Sequence, residues 1–161
     1  MNAYTVLQDH HKVLKGLVKK ISETQPTAAE RQDYVDDLLV ELDIHFRIED
    51  DLFYPALAEA SSLIAVAHAE HRQVVDQLSV LLRTPPTASS YEDEWHSFAT
   101  VLEAHADEEE RDMIPVPPPV QISDAELVTL GDKMAARIEQ LRDSTVHKLR
   151  VKGRKALLRT I

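Results

Sequence analysis

The phrase His45-x-x-x-Glu49-x5-Pro55 recurs sixty residues later as His105-x-x-x-Glu109-x5-Pro115. A His and a Glu four residues apart stand on one face of a helix, one turn from each other. Both pairs lie in runs whose apolar residues recur at three- and four-residue spacing, the pattern of a half-buried helix. A chain that buries two such pairs has to set them against each other or against counter-charges, and a helical bundle does this where a sheet does not. A content of only 3 Gly and 5% aromatic residues points the same way.

Four segments carry the helical period: residues 3–22, 27–54, 61–83 and 89–114. Polar or proline-rich stretches divide them, namely Glu23-Thr24-Gln25-Pro26, Pro55, Thr84-Pro85-Pro86, and Pro115 with Pro117-Pro118-Pro119. Pro55 interrupts or kinks the second helix. These connections predict an all-α fold, an up-down-up-down four-helix bundle over residues 1–115. A Pro-rich connection, 116–122, then leads to an additional fifth C-terminal helix over 123–142. Ser123-x-x-Glu126 opens it as a capping box, and Leu127, Leu130, Met134, Ile138 and Leu141 form its apolar stripe. That stripe holds no inward His or carboxylate, so the fifth helix is expected to pack outside the bundle. Residues 143–161 show weak periodicity and read as a loosely attached basic tail or a short helix.

Composition narrows the chemistry. At 161 residues the chain supports one compact domain, and with no cysteine it has no disulfides, zinc fingers, cysteine-held clusters or thiol catalysis. No basic-then-apolar leader opens it and no apolar run approaches a membrane span, which predicts a soluble cytoplasmic protein without a membrane partner. The net charge of -10 conceals a contrast, because residues 142–161 hold seven Lys or Arg against the single acid Asp143. So acidic a body argues against nucleic acid as a partner; the basic tail either touches an anionic partner or docks on the acidic body itself.

A helix advances about 100° per residue, which places each His relative to its segment's apolar centre. His10 falls among Val6, Val13, Leu14, Leu17 and Ile21, with His11 at the edge of that stripe; His10 is therefore the inward one. Tyr34, Leu38, Leu42, Leu52 and Ala56 bracket His45 and Glu49. Ile64, Val74, Val75, Leu78 and Leu82 centre on His71, with His68 to one side. Tyr91, Phe98, Val101 and Leu102 centre on His105 and Glu109, while Glu110 points away.

A lone His on an apolar face is usually a hydrogen-bonded core residue, and a buried Glu usually has a Lys or Arg partner. Here six polar groups converge, and no Lys or Arg shares their faces. Burying two carboxylates uncompensated costs several kcal/mol each or forces their protonation. Metal cations supply the missing charge. Six imidazole and carboxylate ligands exceed one tetrahedral zinc and suit two ions, each with two His, bridged by the two Glu. Iron is the best match for a bundle of this kind, ahead of manganese.

These residues resemble the hemerythrin-like, HHE-type cation-binding family. The carriers are Asp9-His10-x-x-Val13, the run from His45-Phe46-Arg47-Ile48-Glu49 to Pro55, Glu70-His71-Arg72, and His105-x-x-x-Glu109 ending in Ile114-Pro115. The whole chain, with its Pro-rich break and fifth helix, is similar to the short mycobacterial hemerythrin-like proteins. The resemblance implies iron ligation by His10, His45, Glu49, His71, His105 and Glu109, with the two irons oxo- or hydroxo-bridged. It departs from the oxygen carriers, which have a second His four residues from the first on the third helix and an Asp five residues after the last His. Here Ala67 and Val75 flank His71, and the last helix offers Glu109.

The resemblance to the mycobacterial proteins further implies a catalase-like enzyme that disproportionates hydrogen peroxide; the chain itself is expected to be a monomer or weak homodimer. The alternative is a module that binds or senses oxygen or nitric oxide, or stores iron, without turnover. Tyr54 is a candidate donor beside the centre. On a straight helix it faces away from His45, and only a distortion at Pro55 brings it in.

Overall fold

The computed structural model describes residues 1–160; the final residue of the basic tail, Ile161, lies outside them. Helix α1 spans Ala3–Ser22 and α2 spans Ala29–Ile48. A π-helical turn, Glu49–Phe53, runs into the single turn α3, Tyr54–Ala56, and then a 3-10 turn, Ala58–Ala60. Helices α4 (Ser61–Arg83), α5 (Tyr91–Asp112), α6 (Asp124–Arg142) and α7 (Thr145–Thr160) follow. No strand occurs among the described residues, and among them no single helix is long and apolar enough to cross a membrane.

Helix ends follow local chemistry. The Asn2 side chain accepts from the Thr5 N–H at 2.9 Å and caps α1, and Ser123 accepts from the Glu126 N–H at 3.1 Å and caps α6 as its motif predicts. Lys19 and Lys20 occupy the last turn of α1, where cations suit the helix dipole.

The apolar core is divided. One cluster gathers Leu14, Leu38, Leu42, Phe46, Val74, Leu78, Trp95, Phe98 and Leu102. The other gathers Leu7, Ile44, Ile48, Phe53, Ala67, Met113, Met134 and Ile138. On α1, α2 and α4 the buried histidines fall between a residue of one cluster and a residue of the other, and His105 of α5 lies between Leu102 of the first and Met113, just past the helix end, of the second. The polar groups thus form a layer with hydrocarbon on both sides.

Helix α6 packs on α1 and α2. Close approach to α1 requires Gly131, since a Cβ there would lie 2.7 Å from the Ala3 backbone nitrogen. Gly131→Val is expected to destabilise the protein by about 1–3 kcal/mol through overpacking, and an unshifted urea midpoint would refute that contact.

Of the two readings of the C-terminal segment, loose tail or short helix, the helix is the one present. This is α7, which buries Val151 and Leu158 in the first core cluster. Of the two roles the charge contrast allows, docking on acidic residues is present: Lys155 Nζ lies 2.6 Å from Asp36, and His147 Nε2 lies 2.6 Å from Asp43. Its periodicity is weak because only a narrow stripe is buried and the rest of the helix is solvated.

Candidate metal centre

The π-helical turn decides the shape of the site. Pro55 has no N–H, and its ring clashes with a carbonyl one α-turn earlier. Widening the preceding turn relieves that clash: the Tyr54 N–H donates to the Glu49 carbonyl, five residues back. Residues five apart then share a face, so Tyr54 lies over Glu49 instead of turning away. The distortion sits in Glu49–Phe53, ahead of Pro55 and not at the proline itself, and it brings Tyr54 in.

The Tyr54 hydroxyl lies 2.6 Å from Glu49 Oε2, 2.6 Å from Glu109 Oε2 and 3.2 Å from His71 Nε2. A hydroxyl carries one proton, so it cannot donate to both carboxylates at once. Burial raises the phenol pKa, and the charges of Glu49 and Glu109 raise it further, so the ring keeps its proton.

Two groups of buried donors meet at Glu49. The first is His11, His45, Glu49 and Glu109; the second is Glu49, His71 and His105. In the first, His45 Nε2 contacts Glu49 Oε1, and His11 Nε2 lies 3.2 Å from Glu109 Oε1. All four of these atoms are buried without a hydrogen-bond partner. In the second, His71 Nε2 lies 2.6 Å from Glu49 Oε2 and 3.2 Å from His105 Nε2, which is itself 3.4 Å from Glu49 Oε2. Buried polar atoms left unpaired cost about 1–3 kcal/mol each. Four of them converging, with the pair of imidazole nitrogens beyond, fit cations shared through the two carboxylate oxygens of Glu49.

The electrostatics agree. Burial pushes the His45 imidazole down to about 3, leaving the neutral ring that metal binding needs. Burial and then the charge of Glu49 push the Glu109 carboxyl up. The lowered His45 expresses burial. The raised Glu109 expresses a region short of positive charge, as do His71 and His105, where burial is outweighed by carboxylate hydrogen bonds that bring the imidazoles up to about 9 and about 11.

Five of the six sequence-predicted ligands, His45, Glu49, His71, His105 and Glu109, come together here. On α1 the inward residue is His11 rather than His10. The reason lies in α6: it packs on α1, as α2 and α5 also do, so the apolar stripe of α1 spans more than one interface and its centre does not mark the side that faces α5. Val13, counted in that stripe, is 39% exposed. His11 stands on the side facing α5, where Nδ1 reaches Glu110 Oε1 at 3.2 Å.

His10 has another place. Its Nδ1 lies 2.9 Å from His45 Nδ1 and its Nε2 lies 2.8 Å from Glu41 Oε2. Arg142 of α6 grips the same carboxylate at 2.7 and 3.0 Å. With the His45 Nε2 lone pair facing Glu49, the network assigns one set of protons: His45 Nδ1–H donates to His10, and His10 Nε2–H donates to Glu41. This chain fixes the tautomer and ring plane of His45. Neither Glu41 nor Arg142 carries a sequence signal, because each lies on a surface-facing part of its helix and meets the other only through the packing of α6.

Burial alone would raise the Glu41 carboxyl, but hydrogen bonds from His10 and Arg142 outweigh it and bring the pKa from 4.5 to about 2. A depressed carboxylate stabilises the fold fully above its unfolded value and loses that contribution as pH falls through its folded one. Glu41→Gln is therefore expected to lower the urea midpoint of the metal-free protein at pH 7, with the deficit closing between pH 4.5 and 2. A deficit independent of pH would refute the charge network.

His68 does not join the buried donors; its side chain is 44% exposed and faces Asp50.

A family model for the hemerythrin HHE cation binding domain matches residues 2–116. The proteins Rv2633c of Mycobacterium tuberculosis H37Rv and Mb2666c of Mycobacterium bovis are each 64% identical over 161 residues, covering 100% of both chains. A solved crystal structure, the Rv2633c homolog from Mycobacterium kansasii described as a hemerythrin HHE cation binding domain-containing protein, superposes with a TM-score of 0.92. It is 68% identical, over 100% of this chain and 99% of that one. The chain belongs to the hemerythrin HHE cation-binding family.

Proposed function

We propose that this protein is a non-haem di-iron protein with catalase-like activity, disproportionating hydrogen peroxide between four helices arranged up-down-up-down. One observation carries the reading: the two oxygens of a fully buried Glu49 face two separate groups of imidazoles. His11, His45 and one oxygen each of Glu49 and Glu109 would hold one ion; His71, His105 and the remaining oxygens would hold the other. Two irons held together supply, when bound, a two-electron couple at one place, so that one peroxide is reduced to water and a second is oxidised to oxygen.

The chain's own residues do the rest. Glu49 and Glu109 balance the charge of the oxidised centre. Tyr54 Oη holds a proton within 2.6 Å of both carboxylates, where a peroxide oxygen would be met by a donor. The hydrocarbon on either side of the polar layer excludes water from these contacts. Ala67 and Val75 stand where the oxygen carriers add an imidazole, which leaves a carboxylate-rich donor set suited to turnover.

The test is metal analysis after iron reconstitution, followed by an oxygen electrode. About two irons per chain with oxygen release on adding peroxide support the enzyme. A stable oxygenated spectrum with no oxygen release would instead mark a carrier or sensor. Failure to take up iron would overturn both.

A further inference from the structure

A third cluster of metal-type donors lies outside the buried centre. His68 Nδ1 and His71 Nδ1 each lie 3.4 Å from Asp50 Oδ1, and donor atoms of the three side chains fall within 4.8 Å of one another. The π-helical turn supplies Asp50, while α4 presents His68 and His71 one turn apart. Asp50 and His68 are 42% and 44% exposed. All three residues line a cleft of about 550 Å³ bordered by Asp43, Asp51 and Asp76 and also by Arg47, Arg72 and Arg154.

His71 belongs to both places. Its Nε2 faces Glu49 and His105, and its Nδ1 faces Asp50. At 7% exposure it is the least buried of the six central donors, the others being at 3% or less.

We infer that Asp50, His68 and His71 Nδ1 form an outer cation site that takes a divalent metal ion from solution and passes it to the buried centre. The inference rests on the reading of that centre as a metal site. One carboxylate oxygen and two imidazole nitrogens suit divalent first-row ions. A neutral imidazole has one lone-pair nitrogen. The outer site therefore has all three donors only while His71 Nε2 carries the hydrogen. Once Nε2 binds a buried ion, Nδ1 carries the hydrogen and donates it to Asp50. The outer site weakens as the inner one fills, which makes it a way-station and not a third permanent site.

The experiment mixes full-length metal-free protein with limiting Co²⁺ in a stopped-flow absorbance cell, and the end point is checked by metal analysis. His68→Ala and Asp50→Asn are expected to slow loading on the order of tenfold while still reaching the wild-type end point. Asp76→Asn removes the same charge from the same cleft outside the triad, and should stay within about twofold of wild type. Loading of His68→Ala at the wild-type rate would overturn the entry site, and so would Asp76→Asn slowing as much as Asp50→Asn. If the wild type takes up no Co²⁺, the metal-centre reading falls and this one with it.

Discussion

Glu49→Ala is expected to abolish metal binding at both ion positions while leaving a folded helical chain. Glu49 contributes one oxygen to each donor group, so no other single residue serves both so directly. Its removal leaves His71 and His105 without their shared carboxylate and leaves the first group with Glu109 as its remaining acid. Metal content after iron reconstitution should drop from about two ions per chain to well below one. Oxygen release from peroxide should fall to background with it. The metal-free variant should be folded but less stable than the metal-free wild type, because His71, His105 and the Tyr54 hydroxyl lose the buried carboxylate they pair with. Circular dichroism and a urea titration on the same sample separate the two effects. Retention of two ions by this variant would refute the bridging arrangement.

The neighbouring histidines of α1 give the second large effect, and they part sharply. His11→Ala removes a donor from the first group and should leave about one ion per chain even at saturating iron. His10→Ala removes only the partner that holds His45, so it should still fill both positions. Its affinity is expected to be about 10–100-fold lower, as is usual when a ligand's hydrogen-bond partner is lost. His10→Asn can still accept from His45 Nδ1–H and donate to Glu41, and is expected to recover part of that loss. Competition against a chelator reads all three variants. Equal loss of ions at saturation from His10→Ala and His11→Ala would refute the assignment of His11 to the centre.

The contrast shows how far the amino-acid sequence can be read. His45, Glu49, His71, His105 and Glu109 were legible because α2, α4 and α5 bury one face each, and a regular period finds that face. On α1 the same arithmetic selected His10, since α6 adds a second buried face that a wheel averages with the first. Tyr54 was legible only as a conditional: a straight helix turns it away, and the widened turn before Pro55 is a response to a clash that no periodicity records. Helix α7 was obscured by the small number of apolar residues it buries, although the charge contrast left room for its acidic docking surface. Arg31 escaped notice altogether. It is fully buried, donates to the Thr24 carbonyl at 2.5 Å, and sits over the rings of Tyr91 and Trp95 at 5.3 and 5.6 Å. Nothing local distinguishes it from the solvated arginines.

The polar layer between two hydrocarbon clusters also ties the thermodynamics of the whole chain to its ions. An ion that binds only the native arrangement adds RT ln(1 + [L]/Kd) to the free energy of unfolding. Here that ion would fasten α1, α2, α4 and α5 at the level where the two clusters meet, and without it the layer holds mutually repelling carboxylates. The melting temperature of such a protein is then a thermometer for free metal, rising with each decade of ion concentration until both positions are filled.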